Sequence, residues 1–274
     1  MQVAAIQMVS TGVPKDNLAQ AAKLLEQAAK AGAELAVLPE YFCLIGQHDS
    51  EKITIQEQFG SGPIQDFLSN QARQLGLWIV GGTLPLSTTP GARSEKVFNT
   101  SLVFNPAGAC AARYDKIHLF RFDNGTESYD ESRALQAGHQ PVQVALPSRD
   151  GHSWTIGLSV CYDLRFAELY RAHARAGADL LLVPSAFTYT TGQAHWELLL
   201  RARAVENLSF VVAAAQGGTH PNGRKTWGQS LAIDPWGAIL AQQAQEPGVV
   251  LAHLDAAQVA RCRVQLPALQ HRLL

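Results

Sequence analysis

No apolar run in this 274-residue sequence approaches the ~20 residues that a bilayer-spanning helix needs, so no membrane segment is read in it. Met1 to Gln7 carries neither a basic n-region nor a long apolar stretch, so no secretory signal peptide is read there either. Cysteine is scarce. Cys43, Cys110, Cys161 and Cys262 lie far apart, with no CxxC and no Cys/His cluster at metal-ligand spacing. That excludes a disulfide framework and a zinc site as organising features, and no cofactor or metal is implied. An excess of one charge is lacking too. The 22 Lys and Arg meet 23 Asp and Glu, for a net charge of −1, and no basic run marks a nucleic-acid surface. The expectation is a cytoplasmic protein whose thiols stay reduced.

What is present is apolar residues in ordered blocks. A hydrophobic content of 47% over this length supports one large α/β core, taken as a single domain over 1–274. Val3 to Gln7 reads as a strand. A helix from Asp16 to Ala31 follows, with Leu18, Ala21, Leu24, Leu25 and Ala28 at helical spacing, Asp16 as its N-cap and Gly32 as its stop. Leu35 to Leu38 is an apolar strand that ends in Pro39-Glu40. A helix Ile64 to Leu75 and strands Leu77 to Gly82 and Val97 to Phe104 come next. Residues 121–138, polar and without periodicity, read as a long loop of the kind that serves a site. Strands Val142 to Leu146 and Thr155 to Val160, helix Ala167 to Ala176, strand Leu180 to Val183, helix Ala194 to Asn207 and strand Phe210 to Ala215 complete the middle. Strands Ser230 to Ile233 and Val249 to Leu254 flank the turn Asp234-Pro-Trp-Gly237, and a last helix starts near Ala256.

The chain echoes itself. AGAELAVLPE (Ala31 to Glu40) and AGADLLLVPS (Ala176 to Ser185) share a helix end, a glycine stop, an apolar strand and a proline exit. Each is followed by another helix and another apolar strand. Two similar halves are therefore expected, with buried strands in two sheets packed face to face and helices on the outer faces.

Three residues can carry chemistry. Glu40 stands at a strand's carboxyl end, where open α/β sheets place their sites, or else in a solvated loop. Lys116 opens an extended segment. Cys161 ends the apolar run of IGLSVCYDLRF (Ile156 to Phe166), just before an amphipathic helix. A cysteine there is either a small core residue or a nucleophile beside the N–H groups of a helix start. A thiol nucleophile needs a base, an oxyanion donor and a proton donor for the leaving group, and these three side chains supply that set.

In LPEYF (Leu38 to Phe42), YDKIHLF (Tyr114 to Phe120) and GLSVCYDLRF (Gly157 to Phe166), the sequence resembles the carbon–nitrogen hydrolases of the nitrilase superfamily over nearly its whole length. The resemblance implies a four-layer αββα sandwich that commonly pairs into a homodimer through helices next to the nucleophile. It also implies a small-molecule amide substrate, with Glu40 as general base, Cys161 as nucleophile, and Lys116 and the Tyr162 N–H as oxyanion donors. The family's second glutamate maps to Glu131, in Glu131-Ser132 with Gly138, in preference to Glu127-Ser128. Arg165 is left with two readings, an ion pair with a neighbouring acid or a contact to an anionic substrate.

Segments Pro184 to Glu197 and Leu200 to Asn207 look like the Nit subgroup. Within it, Ala213 to His220, Arg224 and Asp234 to Gly237 are more similar to the deaminated glutathione amidases than to the ω-amidases. A substrate of the former carries a carboxylate at each end, which asks for cationic or N–H donors. Arg165, Arg224, His220 and Lys225 are candidates, although Thr219 to Lys225 also reads as a solvated loop. Phe187, Tyr189, Thr190 and Thr191 are placed on a pocket-lining loop, His195 and Trp196 are as readily packing residues, and Cys43, Cys110 and Cys262 are taken as structural. ω-Amidase, nitrile and N-carbamoyl chemistry remain alternatives, with a non-catalytic binding module as a remote one.

Overall fold

The apolar blocks form the two sheets expected of them, in a computed structural model that describes residues 1–273. The first half runs β1 (Gln2–Gln7), α1 (Pro14–Lys30), β2 (Leu35–Val37), α2 (Glu51–Thr54), α3 (Pro63–Leu75), β3 (Trp78–Val80), β4 (Leu84–Ser87), β5 (Val97–Phe104) and β6 (Cys110–Asp115). Then come β7 (Arg121–Asp123), β8 (Ser128–Asp130), a 3-10 turn at Glu131–Arg133 and β9 (Leu135–Gln136). The second half runs β10 (Gln143–Pro147), β11 (Ser153–Leu158), a 3-10 turn at Cys161–Arg165, α4 (Ala167–Arg175), β12 (Leu180–Leu182), α5 (Tyr189–Asn207) and β13 (Phe210–Ala213). It ends with β14 (Gly217–Thr219), β15 (Lys225–Trp227), β16 (Leu231–Ile233), β17 (Ile239–Gln242), β18 (Gly248–His253) and α6 (Ala256–Gln265).

The internal echo is a topological repeat. One sheet is ordered β18-β1-β2-β3-β5-β4 and the other β10-β11-β12-β13-β16-β17. Each has an antiparallel edge strand, three parallel strands and two antiparallel ones, in that order. Strand alternation assigns the layers. Val3, Ala5, Leu35, Val37 and Val80 join one buried cluster with Ile156, Leu158 and Leu180 of the other sheet, while Ala4, Ile6, Ala36 and Ile79 turn outward onto Ala21, Leu25, Leu68 and Ala72 of α1 and α3. Leu200 and Ala204 of α5 cover the second sheet. The layers run αββα. Each fully buried Leu, such as Leu25 or Leu68, contributes about 1.5–3 kcal/mol by leaving water.

Several boundaries differ from expectation. Pro14 starts α1 because its fixed φ and missing N–H suit a first helical position, so Val13 is the N-cap and Asp16 is instead an acid in the first turn. Residues 121–138 are not an unstructured loop: β7 and β8 form an antiparallel hairpin, and β9 pairs with β5. The segment after Cys161 is a 3-10 turn, and the α-helix begins only at Ala167. Helix α5 starts five residues before Ala194, which puts Tyr189, Thr190 and Thr191 in its first turn rather than in a loop. The stretch around His220 is the tip of the β14–β15 hairpin.

Candidate active site

Strand ends from both sheets converge on one polar cluster inside this apolar sandwich. Glu40 follows β2, Lys116 follows β6 and Cys161 follows β11, and all three are buried. The Lys116 Nζ lies 2.9 Å from Glu40 Oε1 and 2.8 Å and 3.0 Å from the two oxygens of Glu131. Glu40 also accepts from Asn99 Nδ2 at 2.9 Å and from the Ala186 N–H at 2.9 Å. Glu131 accepts from the Tyr41 hydroxyl at 2.6 Å and from the Phe120 N–H at 2.7 Å. Two carboxylates and one ammonium thus share a water-poor site with every oxygen partnered, as buried charges require.

The backbone is bent hard to build this. Tyr41 and Cys161 adopt left-handed φ of 57° and 49°, a region that non-glycine residues enter at a cost of about 1–3 kcal/mol. The Tyr41 N–H is held by Thr83 Oγ1 at 2.9 Å and the Cys161 N–H by the Pro184 carbonyl at 2.9 Å. Two glycines admit the close approaches behind them. A Cβ on Gly82 (φ 49°) would stand 2.0 Å from the Pro39 oxygen, and one on Gly138 2.1 Å from the Asp115 oxygen, next to Lys116. Gly138 also donates its N–H to the Lys116 carbonyl at 2.8 Å, which gives a physical reason for a glycine after Glu131-Ser132.

Electrostatics assign the resting protons. Burial pushes the Cys161 thiol well above its ordinary range, and the neighbouring Glu40 carboxylate adds to this, against the opposing pull of Lys116. The resting group is therefore a thiol beside a carboxylate. Burial alone would lower Lys116, but Glu131, Glu40 and Cys161 outweigh it and keep the ammonium charged. Burial likewise raises Glu131, and Lys116 and then Lys52 reverse this to leave it below the usual carboxylate range. Lys52 rests 3.9 Å from the Tyr41 ring centre and 2.7 Å from Asp49.

The predicted residues divide. Arg165, Phe187 and Thr191 line a space of about 10 Å³ beside Cys161, together with Phe120, Tyr162 and Ala186. Tyr162 is the second residue of the 3-10 turn that opens at the nucleophile, where N–H groups lack earlier helical partners. Arg165 makes no ion pair among the described residues; it meets His195 Nδ1 at 3.3 Å and the rings of Tyr162 and Phe187, so the reading of an acid partner is corrected. Arg224 stands in a neighbouring cavity of about 580 Å³. His220 is not available to substrate: Nδ1 donates to the Ser10 carbonyl and Nε2 accepts from Thr226 Oγ1, while burial holds its pKa down to about 4. Lys225 is exposed, His195 is exposed, and Trp196 is packed. Glu127 lies on the β7–β8 hairpin and accepts from Thr190, away from Lys116. Cys43 and Cys262 are buried, whereas Cys110 is exposed and has no core role.

Sequence reasoning missed Tyr41, Asn99, Lys52 and the Ala186 N–H. Asn99 had a signal, a polar side chain inside the apolar strand VFNTSLVF. Tyr41 stood next to Glu40 in LPEYF. A backbone N–H such as that of Ala186 leaves no trace in side-chain chemistry.

The carbon–nitrogen hydrolase family profile matches residues 2–264. A Synechocystis protein named deaminated glutathione amidase is 39% identical over 98% of this chain and 97% of its own length. Mouse omega-amidase NIT2 is 34% identical over 99% of this chain and 94% of its own. Among solved structures, Saccharomyces cerevisiae Nit3, described as a member of branch 10 of the nitrilase superfamily, superposes with a TM-score of 0.87 at 30% identity, over 100% of this chain and 97% of its own. A variant of the amidase from Nesterenkonia sp. AN1, carrying acrylamide added to its active-site cysteine, matches with a TM-score of 0.78 at 29% identity, over 97% of this chain and 98% of its own.

Proposed function

The chain belongs to the carbon–nitrogen hydrolase family and is an amidase of it, and on that premise we propose that it hydrolyses deaminated glutathione to 2-oxoglutarate and Cys-Gly. The observation that carries the chemistry is one buried ammonium, Lys116, bridging two carboxylates in the same buried cluster as the Cys161 thiol. Glu40 takes the proton of Cys161 as the sulfur attacks the amide carbonyl. Lys116 and the Tyr162 N–H receive the oxyanion, an interaction worth about 3–4 kcal/mol per donor in comparable sites. Protonated Glu40 then gives its proton to the departing amine, leaving a thioester on Cys161. Water, deprotonated by Glu40, attacks the thioester and releases 2-oxoglutarate. Glu131 keeps Lys116 charged and aimed. Arg165, with Phe187 and Thr191, is suited to the keto-acid end of the acyl group. No step draws on a metal or cofactor.

Relatives at this identity support the substrate, which carries a carboxylate at each end, and a metabolite-repair role follows from it. The profile match over 2–264 supports a single domain across 1–274, and four free thiols suit a cytoplasmic setting. Exposed Leu198 and Val205 on α5, with Trp236 nearby in sequence to β16, favour a homodimer joined through the helices that follow the nucleophile. The relative named omega-amidase favours a second reading, in which 2-oxoglutaramate is the substrate. Measuring 2-oxoglutarate release from both compounds decides between them. A higher kcat/KM for deaminated glutathione is expected; a higher value for 2-oxoglutaramate would replace the first reading with the second.

A further inference from the structure

Resting on the deaminated glutathione reading, we propose that the cavity of about 580 Å³ beside the nucleophile receives the leaving half of the substrate, and that the Arg224 guanidinium binds its terminal carboxylate. The adjoining cavity, walled by Gly46 to Ser50, Tyr129, Asn222 and Arg224, has room for a dipeptide. From the scissile nitrogen, Cys-Gly reaches about 7 Å to its carboxylate when extended, which carries that group out of the nucleophile's pocket.

The two spaces share a wall. Ala186 donates its N–H to Glu40 and accepts at its carbonyl from Arg224 Nη2 at 3.4 Å, so a single residue separates the general base from the guanidinium. Phe120 lines the nucleophile's pocket, and its ring packs 5.9 Å from that of Tyr129, which lines the cavity.

Among the charged groups here, Arg224 holds no carboxylate at ion-pair distance, although its charge lowers the Asp49 carboxyl from farther off. Asp49 is held by Lys52 at 2.7 Å, and Asp130 by Ser132 and, at 3.7 Å, by Arg133. Arg224 forms no ion pair among the described residues, and its buried Nε has no hydrogen-bond partner. Its position is nonetheless fixed. The Asn222 side chain accepts from the Arg224 N–H at 2.9 Å and donates to the Gly46 carbonyl at 2.6 Å, and the guanidinium lies 5.2 Å from the Tyr129 ring centre. A preorganised, underused fork of N–H donors in a wide cavity fits a carboxylate.

The test compares deaminated glutathione with the counterpart in which glycine is replaced by ethylamine, which keeps the scissile amide and puts a methyl group in place of the carboxylate. The wild-type enzyme is expected to prefer the acid by about ten- to hundredfold in kcat/KM, chiefly through KM. Arg224→Gln is expected to reduce that preference to about twofold, and Arg224→Lys to restore part of it. Equal losses on both compounds in Arg224→Gln would make Arg224 structural and overturn the proposal, as would a preference that survives the substitution. If the wild-type protein hydrolyses 2-oxoglutaramate but neither thiol compound, the substrate reading itself fails and takes this inference with it.

Discussion

Replacing Glu131 by Gln tests whether the second carboxylate holds the catalytic ammonium in place. All the groups around the Glu131 oxygens are donors: Lys116 at 2.8 Å and 3.0 Å, the Tyr41 hydroxyl at 2.6 Å and the Phe120 N–H at 2.7 Å. A glutamine must therefore turn its NH2 toward at least one donor, whichever way the amide is flipped. Removing one partner of a buried ion pair costs about 3–5 kcal/mol, because the other charge is left in a poor solvent. If most of that cost falls on the positioning of Lys116 for the oxyanion, kcat/KM should drop about 10²- to 10³-fold. The same change has a second, opposite signature. The Glu131 charge is one of the causes that keep the Cys161 thiol protonated, so Glu131→Gln should make Cys161 more acidic and speed its alkylation by iodoacetamide even as hydrolysis slows. The assay pairs steady-state kinetics with mass-spectrometric mapping of labelled cysteines. Labelling that spreads to the buried Cys43 would report unfolding instead. A variant within about threefold of wild type in kcat/KM would refute the positioning role.

Three further outcomes are expected. Cys161→Ala should abolish turnover while changing the unfolding free energy by less than about 1–2 kcal/mol, since little volume is lost; measurable steady-state hydrolysis would remove Cys161 from its role. Gly82→Ala, which places a methyl 2.0 Å from the Pro39 carbonyl at φ 49°, should cost more than about 3 kcal/mol in urea unfolding and disturb Glu40, and a near-wild-type midpoint would show that the Pro39–Glu40 turn yields easily. His220 is held at about 4 in the folded state against an ordinary value of about 6.5, so the unfolded chain binds its proton first as pH falls. Stability from this residue is complete above about pH 6.5 and is lost as pH drops through about 4, by up to about 3–4 kcal/mol. In His220→Gln the acid limb of stability against pH should flatten, and an unchanged slope would exclude His220 as its source.

Much of the scaffold could be read because burial on both faces writes itself as continuous apolar runs. Val97–Phe104 came out with its observed limits, and the parallel strands around Leu35 and Leu180 lay within a residue or so of their expected ends. The topological repeat was legible for the same reason, since each half needs a glycine stop and a proline exit at its second parallel strand. What escaped was structure that water faces. The β7–β8 hairpin buries little, as Arg121 and Asp123 are exposed, so it lacks the alternation that marks a half-buried strand. Helix α5 began early because Tyr189 to Gly192 are fixed by contacts made elsewhere, including Thr188 with Thr191 and Tyr189 against Trp227, rather than by helix-forming composition.

The site divides along a similar line. Glu40, Lys116 and Cys161 announce themselves because ionisable or nucleophilic side chains at strand ends are costly unless they pair. Glu131 is reached only through the family resemblance, and the structure places Glu40 and Glu131 each within 3.0 Å of Lys116. Their protonation was not legible, because it is a property of the assembled cluster. A cysteine at a strand end can be a thiolate or a thiol, and here burial together with the neighbouring Glu40 outweighs Lys116. That balance has a mechanistic consequence. A thiol that rests protonated against its own base is activated only when an electrophile draws the sulfur forward and the proton passes to Glu40, so the resting enzyme is guarded against adventitious oxidation and alkylation. Alkylation of Cys161 in the free enzyme near neutral pH should therefore be slower than that of a free thiol such as glutathione under the same conditions. The rate should keep rising above pH 8.5, and a plateau below pH 7 would mean that Lys116 prevails over Glu40 and that the thiolate stands ready before substrate arrives.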